Sequence, residues 1–177
     1  MNKPDSITGA TPKAPVPQQL RKAFIQTFTK LAEKDPRMIL VIGDVGFSFL
    51  EKFIEQFPNQ YLNAGIGEQN MMGMCSGLTL AGWKPYVYTM TNFILLRPLE
   101  QLRNDICYTK ANVKVFGVKG GPSYKFLGMS HNMTDGETKG ILENLPNINT
   151  YAPELESEVE RIMQYEYENP GPSYMQI

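Results

Sequence analysis

The stretch Tyr61–Gly82, YLNAGIGEQNMMGMCSGLTLAG, decides the fold of this chain. A short strand-like run leads into Gln69–Leu80, whose apolar residues recur at helical spacing, and Gly65 and Gly67 lie at the junction. Glu68, the one acidic residue of the stretch, is therefore predicted to open a helix at the end of a strand. Because α/β proteins build their sites at such strand-to-helix turns, Glu68 is the first candidate site residue.

Two interpretations of Glu68 are open at this point. An acid in the first turn of a helix commonly does no more than complement the positive end of the helix dipole. The neighbouring helix positions are methionine and cysteine, however, and no basic residue occurs between Gln56 and Lys84, so the local sequence offers the carboxylate no cation. A carboxyl group in such an apolar setting is a candidate for proton transfer.

Strand-like and helix-like segments alternate along the whole chain. The predicted strands are Met38–Ile42, Tyr61–Ala64, Lys84–Met90, Val113–Val118, Ile148–Ala152 and Ser173–Ile177. Helices are predicted from Gln18 to the region of Asp35, over Phe47–Gln56 and over Asn92–Thr109. The wholly apolar run Met38–Ile42 is typical of a strand that is buried on both faces of a parallel sheet. This alternation predicts an α/β fold with an open, mostly parallel sheet and helices on both faces.

Composition agrees with one compact domain. The 177 residues, 42% of them hydrophobic, suffice for a single core over residues 18–177. Residues 1–17 are rich in Pro, Thr and Lys and are expected to form a flexible N-terminal arm. A net charge of -1 gives no electrostatic reason to expect nucleic acid. We expect no membrane span and no signal peptide, and hence a cytoplasmic location.

The motifs of this chain resemble the signature of the pyrimidine-binding domain of the transketolase family of thiamine diphosphate enzymes. They are Asn63–Gly73 (NAGIGEQNMMG), Gly77-Leu78, Ala81–Pro85, Asn92-Phe93, Glu100–Asp105, Ser130-His131 and Leu145–Asn147. The resemblance extends from Arg21 to Ile177. It is greatest to the separately encoded pyrimidine-binding halves of split transketolase-like enzymes.

The resemblance implies a coenzyme site around Glu68. Glu68 would hydrogen-bond the ring nitrogen N1′ of the aminopyrimidine, and Phe93 would stack on that ring. Met90 stands where relatives often carry a second aromatic residue. His131 would face the thiazolium and the bound sugar, where an imidazole can orient hydroxyl groups or transfer a proton. Without the resemblance, Phe93 would be interpreted as a core aromatic and His131 as a surface imidazole.

Three further residues are implied to bind substrate. Arg21 and Ser48 would meet the distal phosphate or another anion, a task that suits a forked guanidinium. Lys119 stands where other transketolases place a sugar-facing histidine, at the start of the predicted long loop Lys119–Asp135. Together with Lys125 it could favour an anionic acceptor, although exposed lysines are common in loops.

No metal site is predicted in this chain. The turn Gly43–Gly46, GDVG, partly matches the Gly-Asp-Gly motif with which the family binds magnesium, and Asn70 follows at a suitable distance. Val45 breaks the motif, however, and Asn70 belongs to the segment around Glu68, so Asp44 is interpreted as a turn former. The resemblance implies that thiamine diphosphate and its Mg²⁺ are also held by a separate diphosphate-binding subunit, in an α2β2 heterotetramer with sites between chains.

The implied activity is transfer of a two-carbon ketol unit from a ketose or sugar phosphate to an aldehyde, by this chain together with its partner subunit. Two alternatives are open. The short length would also suit the small subunit of a split thiamine diphosphate-dependent 2-oxo acid decarboxylase, although Arg21, Ser48 and the Ser-His pair favour a transketolase. A non-catalytic subunit that retained the fold is favoured by the altered loop and opposed by Glu68 and Phe93.

Overall fold

The computed structural model describes residues 17–177, which form a six-stranded sheet in the order β2-β1-β3-β4-β6-β5 with every neighbouring pair parallel. The strands are β1 (Met38–Ile42), β2 (Tyr61–Asn63), β3 (Lys84–Met90), β4 (Lys114–Val118), β5 (Asn149–Tyr151) and β6 (Ser173–Gln176). The helices are α1 (Pro17–Ala32), α2 (Glu51–Gln56), α3 (Glu68–Leu80), α4 (Thr91–Leu96), α5 (Leu99–Gln101), α6 (Gly121–Tyr124), α7 (Asp135–Leu142) and α8 (Glu156–Glu168). The predicted α/β class is confirmed. The predicted N-terminal arm lies outside the described residues except for Pro17, at which α1 begins.

Helices cover both faces of the sheet because alternate strand residues point to opposite sides. On the first face, α1, α2 and α8 pack with strand residues such as Leu40 and Tyr88. On the second face, α3, α4 and α7 pack with strand residues such as Val41 and Val87. Since burying one such side chain contributes roughly 1.5–3 kcal/mol, the alternation fixes which face each strand presents to each layer.

The strand order reverses between β1 and β3. The chain leaves β1 for β2 on one side and then returns past β1 to β3 on the other side. The helix after β1 covers the first face and the helix after β3 covers the second. The connections therefore diverge and leave a crevice at the carboxyl ends of β1 and β3, the place where open α/β sheets bind ligands.

Two predicted helices differ from the structure. The helix predicted over Phe47–Gln56 begins only at Glu51, because Gly46 and Ser48 have φ angles of 92° and 59°, which a helix cannot accommodate. The single helix predicted over Asn92–Thr109 is interrupted after α4, because Pro98 cannot continue the hydrogen-bond ladder. After α5 the backbone continues as a π-helix over Leu102–Tyr108.

The predicted long loop after β4 contains short helical segments. They are α6 and a 3₁₀ helix over Lys125–Ser130, which are followed by α7 at Asp135. No helix within residues 17–177 combines the length and the apolar character needed to cross a lipid bilayer.

Candidate active site

Glu68 lies in the crevice between β1 and β3. It is the first residue of α3, as predicted, and it is only 3% exposed. A methyl group on Gly43, directly after β1, would lie 3.2 Å from Thr89 Oγ1 and 3.7 Å from Glu68 Oε1. The carboxylate therefore lies over the point where β1 and β3 end, close to the buried hydroxyl of a β3 residue.

Arg97 is a site residue that sequence reasoning missed. Its Nη1 donates to Glu68 Oε1 at 2.7 Å, and its Cζ lies 3.8 Å from the centroid of the Phe93 ring. The expectation that Glu68 lacks a cation was therefore wrong, because the cation comes from the end of α4 rather than from the local sequence. The one signal that could have indicated it is Pro98, which ends α4 directly after Arg97.

The structure brings Phe93 and His131 together. Phe93 lies half-buried in the first turn of α4, and its ring meets the His131 imidazole edge to face, with centroids 5.0 Å apart. His131 Nδ1 lies 2.8 Å from Ser130 Oγ, an arrangement in which either group can donate. Met90, the last residue of β3, is buried in the apolar cluster against which Phe93 packs. Arg97 thus links Glu68 to Phe93, and Phe93 links this group to His131.

Two asparagines hold the segment that carries His131. Asn132 Nδ2 donates to the carbonyl oxygens of Tyr124 at 2.9 Å and Gly128 at 2.7 Å. Asn92 Nδ2 donates to the Met129 carbonyl at 2.9 Å and so ties the segment to α4. The position of His131 is therefore fixed by hydrogen bonds to the backbone of the segment that precedes it.

Lys119 lies at the end of β4, in contact with the start of α7. Its Nζ is 2.8 Å from Asp135 Oδ1, and both side chains are substantially exposed. Lys119 and Lys125 line a cavity of about 570 Å³ beside the His131 segment. Because Asp135 offsets the charge of Lys119, the excess positive charge of this cavity comes mainly from Lys125.

Arg21 and Ser48 lie near each other on the first face. Arg21 Nε donates to the Tyr88 hydroxyl at 2.8 Å, and its Cζ lies 4.9 Å from the centroid of the Phe49 ring. Ser48 precedes Phe49 and is exposed. Burial raises the pKa of Tyr88 to about 12, although Arg21 favours the ionised form, so the phenol is neutral at physiological pH. The structure thus separates Arg21, on the first face, from Arg97 on the second.

Asp44 joins the ends of β1 and β2. Its amide donates to Asn63 Oδ1 at 3.1 Å, and Asn63 Nδ2 donates back to Asp44 Oδ1 at 3.0 Å. Asp44 has a φ of 53°, a conformation that aspartate tolerates in turns. This geometry agrees with the interpretation of Asp44 as a turn former.

Comparison with known proteins identifies the family. Residues 17–177 match the family described as transketolase, pyrimidine binding domain. The chain is 29% identical over 161 residues to an apulose-4-phosphate transketolase subunit of Actinobacillus succinogenes, covering 90% of this chain and 51% of that protein. It is 31% identical over 158 residues to the apulose-4-phosphate transketolase subunit of the same kind from Phocaeicola vulgatus, covering 89% of this chain and 50% of that protein.

The fold also matches a solved structure, described as a split gene transketolase in an inactive beta4 tetramer, with a TM-score of 0.78. The two sequences are 30% identical, and the match covers 89% of this chain and 50% of that one. The chain therefore spans about half the length of the curated relatives it matches. It belongs to the transketolase pyrimidine-binding domain family.

Proposed function

We propose that this chain is the pyrimidine-binding subunit of a thiamine diphosphate-dependent transketolase-like enzyme. The enzyme transfers a two-carbon ketol unit from a ketose or ketose phosphate to an aldehyde. The observation that carries the proposal is the buried carboxylate of Glu68 in the β1/β3 crevice, beside the ring of Phe93. The relatives named as subunits of apulose-4-phosphate transketolases support the reaction class.

The side chains in the crevice fit the aminopyrimidine of thiamine diphosphate. The guanidinium of Arg97 is flat and bears nitrogen donors, and it contacts the carboxylate of Glu68 and the ring of Phe93 at once. These are the two contacts proposed for the pyrimidine, a hydrogen bond at its edge and stacking on its face. The guanidinium thus serves as a stand-in for the pyrimidine, and its contacts support the chemical suitability of both groups.

Each residue has a definite task in the proposed reaction. Thiamine diphosphate, when bound, supplies the nucleophile that cleaves the ketose and retains the two-carbon unit until an aldehyde accepts it. Glu68 holds a proton between its carboxyl oxygen and the ring nitrogen N1′, and its burial excludes water from that hydrogen bond. Phe93 orients the ring by stacking, which is worth about 0.5–1.5 kcal/mol beyond area burial, and Met90 packs beside it.

His131 is proposed to act on the substrate. Because Nδ1 is engaged with Ser130, Nε2 is the nitrogen that can orient a substrate hydroxyl or move a proton to or from it. Lys119 is proposed to contact the sugar from the same side, and Arg21 with Ser48 to bind the distal phosphate of a sugar phosphate. The forked guanidinium of Arg21 uses Nε for Tyr88, and within residues 17–177 no side chain or carbonyl accepts from its two terminal nitrogens.

We further propose that a separate subunit holds the diphosphate and Mg²⁺, in an α2β2 assembly with sites between chains. The solved relative described as an inactive beta4 tetramer supports a need for a second kind of subunit. Exposed apolar side chains around the carboxyl edge also suit a covering partner. They are Phe47, Ile66, Phe126 and Met129, each 75% exposed or more.

The test is the substitution Glu68→Gln in the complex with the diphosphate-binding partner. We expect turnover to fall by about 10²–10⁴-fold, the usual contribution of a positioned acid–base group. Glu143→Gln, which neutralises an exposed carboxylate directly after α7, is the matched control and should leave turnover unchanged. Ketose phosphates and 2-oxo acids are assayed side by side. Near-normal turnover in the Glu68 variant, or activity only with 2-oxo acids, would contradict the proposal.

A further inference from the structure

The backbone of Arg97 is fixed next to Glu68, whereas its side chain is free to leave. The carbonyl of Arg97 accepts a hydrogen bond from Gln69 Nε2 at 3.2 Å, which ties the end of α4 to the first turn of α3. Pro98 follows and ends the helix. The side chain of Arg97 is 43% exposed, in contrast to 3% for that of Glu68. A rotation of the side chain alone can therefore move the guanidinium into solvent.

Arg97 occupies both of the groups assigned to the coenzyme ring. One nitrogen donates to Glu68 at 2.7 Å, and the guanidinium lies over the face of Phe93 at 3.8 Å, well within the range of a cation–π contact. A planar ligand cannot stack on this face of Phe93 and hydrogen-bond this oxygen of Glu68 while the guanidinium is there. The contacts of Arg97 and those of the ligand are mutually exclusive.

We propose that Arg97 is an internal competitor of the coenzyme pyrimidine, which satisfies the buried charge of Glu68 until the ring displaces it. The inference rests on the proposed function and extends it, since it assigns to the chain a self-inhibited form of the site. Without Arg97, the carboxylate of Glu68 would be buried with no cation, an arrangement that is costly in a folded protein. With Arg97, the site is stable, but only the fraction of molecules whose guanidinium has swung out is competent to bind.

This arrangement predicts opposite effects on stability and on affinity. The apparent dissociation constant equals the intrinsic constant divided by the competent fraction. If about one molecule in ten has Arg97 swung out, its removal tightens thiamine diphosphate binding about tenfold, or about 1.4 kcal/mol. The same removal lowers the thermal unfolding midpoint of the chain. A residue that only supports the fold would weaken both properties together.

The experiment is calorimetric titration of thiamine diphosphate with Mg²⁺ into the complex with the diphosphate-binding partner, for wild type and Arg97→Gln. Arg103→Gln is the matched control, because Arg103 also lies over an aromatic ring, that of Tyr108 at 4.7 Å, and pairs with an amide rather than with Glu68. We expect about tenfold tighter binding for Arg97→Gln and no change for Arg103→Gln. Arg97→Lys retains the charge but not the planar fork, and it should bind the coenzyme with intermediate affinity.

Three results would count against the competitor role. Unchanged or weaker binding by Arg97→Gln, when the wild-type complex binds the coenzyme, overturns that role and leaves the proposed function intact. If the wild-type complex itself does not bind thiamine diphosphate, the proposed function fails and this inference fails with it. If Arg97→Gln does not fold, the Arg97→Lys titration decides, since equal or weaker affinity than wild type would contradict competition.

Discussion

The buried ion pair between Lys114 and Glu166 offers a sharp test of what holds the sheet together. Lys114 Nζ donates to Glu166 Oε2 at 2.9 Å and to the carbonyl oxygens of Asn169 and Gly171 at 3.2 and 2.7 Å. The two side chains are 2% and 3% exposed. The perturbation is Lys114→Met, which nearly keeps the length of the side chain and removes all three donated hydrogen bonds.

The expected loss follows from what the substitution leaves behind. Glu166 would remain buried without its cation, which typically costs about 3–5 kcal/mol. That is a large share of the roughly 5–15 kcal/mol by which a domain is stable. At about 2–4 °C per kcal/mol for a chain of this size, the unfolding midpoint should fall by roughly 6–20 °C. Burial lowers the pKa of Lys114 in spite of the Glu166 carboxylate beside it, so desolvation of the ammonium is the larger effect.

That balance predicts the behaviour of the double variant. Lys114→Met with Glu166→Gln leaves no buried charge and retains an acceptor for the Tyr151 hydroxyl, which donates to Glu166 at 2.6 Å. It should recover at least about half of the loss, as neutral replacements of buried ion pairs commonly do.

Urea unfolding of the four proteins of this cycle measures the coupling, and Lys30→Met is the control. Lys30 pairs with Glu160 at 3.0 Å, but both side chains are mostly exposed, so the change should stay below about 0.5 kcal/mol. A loss below about 1 kcal/mol for Lys114→Met, or a double variant no more stable than the single one, would refute the reasoning. Coenzyme affinity should not change, because Lys114 lies at the amino end of β4, whereas Glu68 lies at the carboxyl edge of the sheet.

Two further predictions concern an acidic residue and a glycine. Burial alone would raise the pKa of Asp35, but hydrogen bonds from Lys84 at 2.7 Å and Arg37 at 3.2 Å hold it well below its usual range. Its contribution is therefore present above the unfolded pKa of about 3.9 and is lost as the pH falls below that value. Asp35→Asn should cost about 1.5–3 kcal/mol at pH 7 and flatten the unfolding free energy between about pH 4 and about pH 2; an unchanged pH profile in urea titrations would contradict this. Gly120→Ala should displace the His131 segment, because a methyl group there would collide with the His131 carbonyl and the Asn132 side chain. We expect lower kcat with little change in coenzyme affinity, and wild-type kinetics would show that the segment can relax.

The parts of the fold that could be predicted are those set by short-range pattern. The apolar run of β1 and the glycines before Glu68 indicate a buried strand and a strand-to-helix turn from a few adjacent residues. The contact between Arg97 and Glu68 could not be predicted in this way, because the two residues are 29 positions apart in sequence. It depends on where Pro98 ends α4 and on how α4 packs against α3, and neither is encoded in the residues around Glu68.

The geometry of the site separates the groups proposed for the coenzyme from those proposed for the sugar. Glu68 and Phe93 belong to helices that are anchored in the core of the second face, so their spacing is set by the packing of the whole sheet. His131 and Lys119 flank a segment that two asparagines hold by side-chain hydrogen bonds to backbone carbonyls. A substitution in that segment can therefore change the sugar that is bound while the carboxylate stays in place. This division explains how Lys119 can replace a sugar-facing histidine of other transketolases without loss of the coenzyme site, and it directs the search for the substrate to the cavity beside His131.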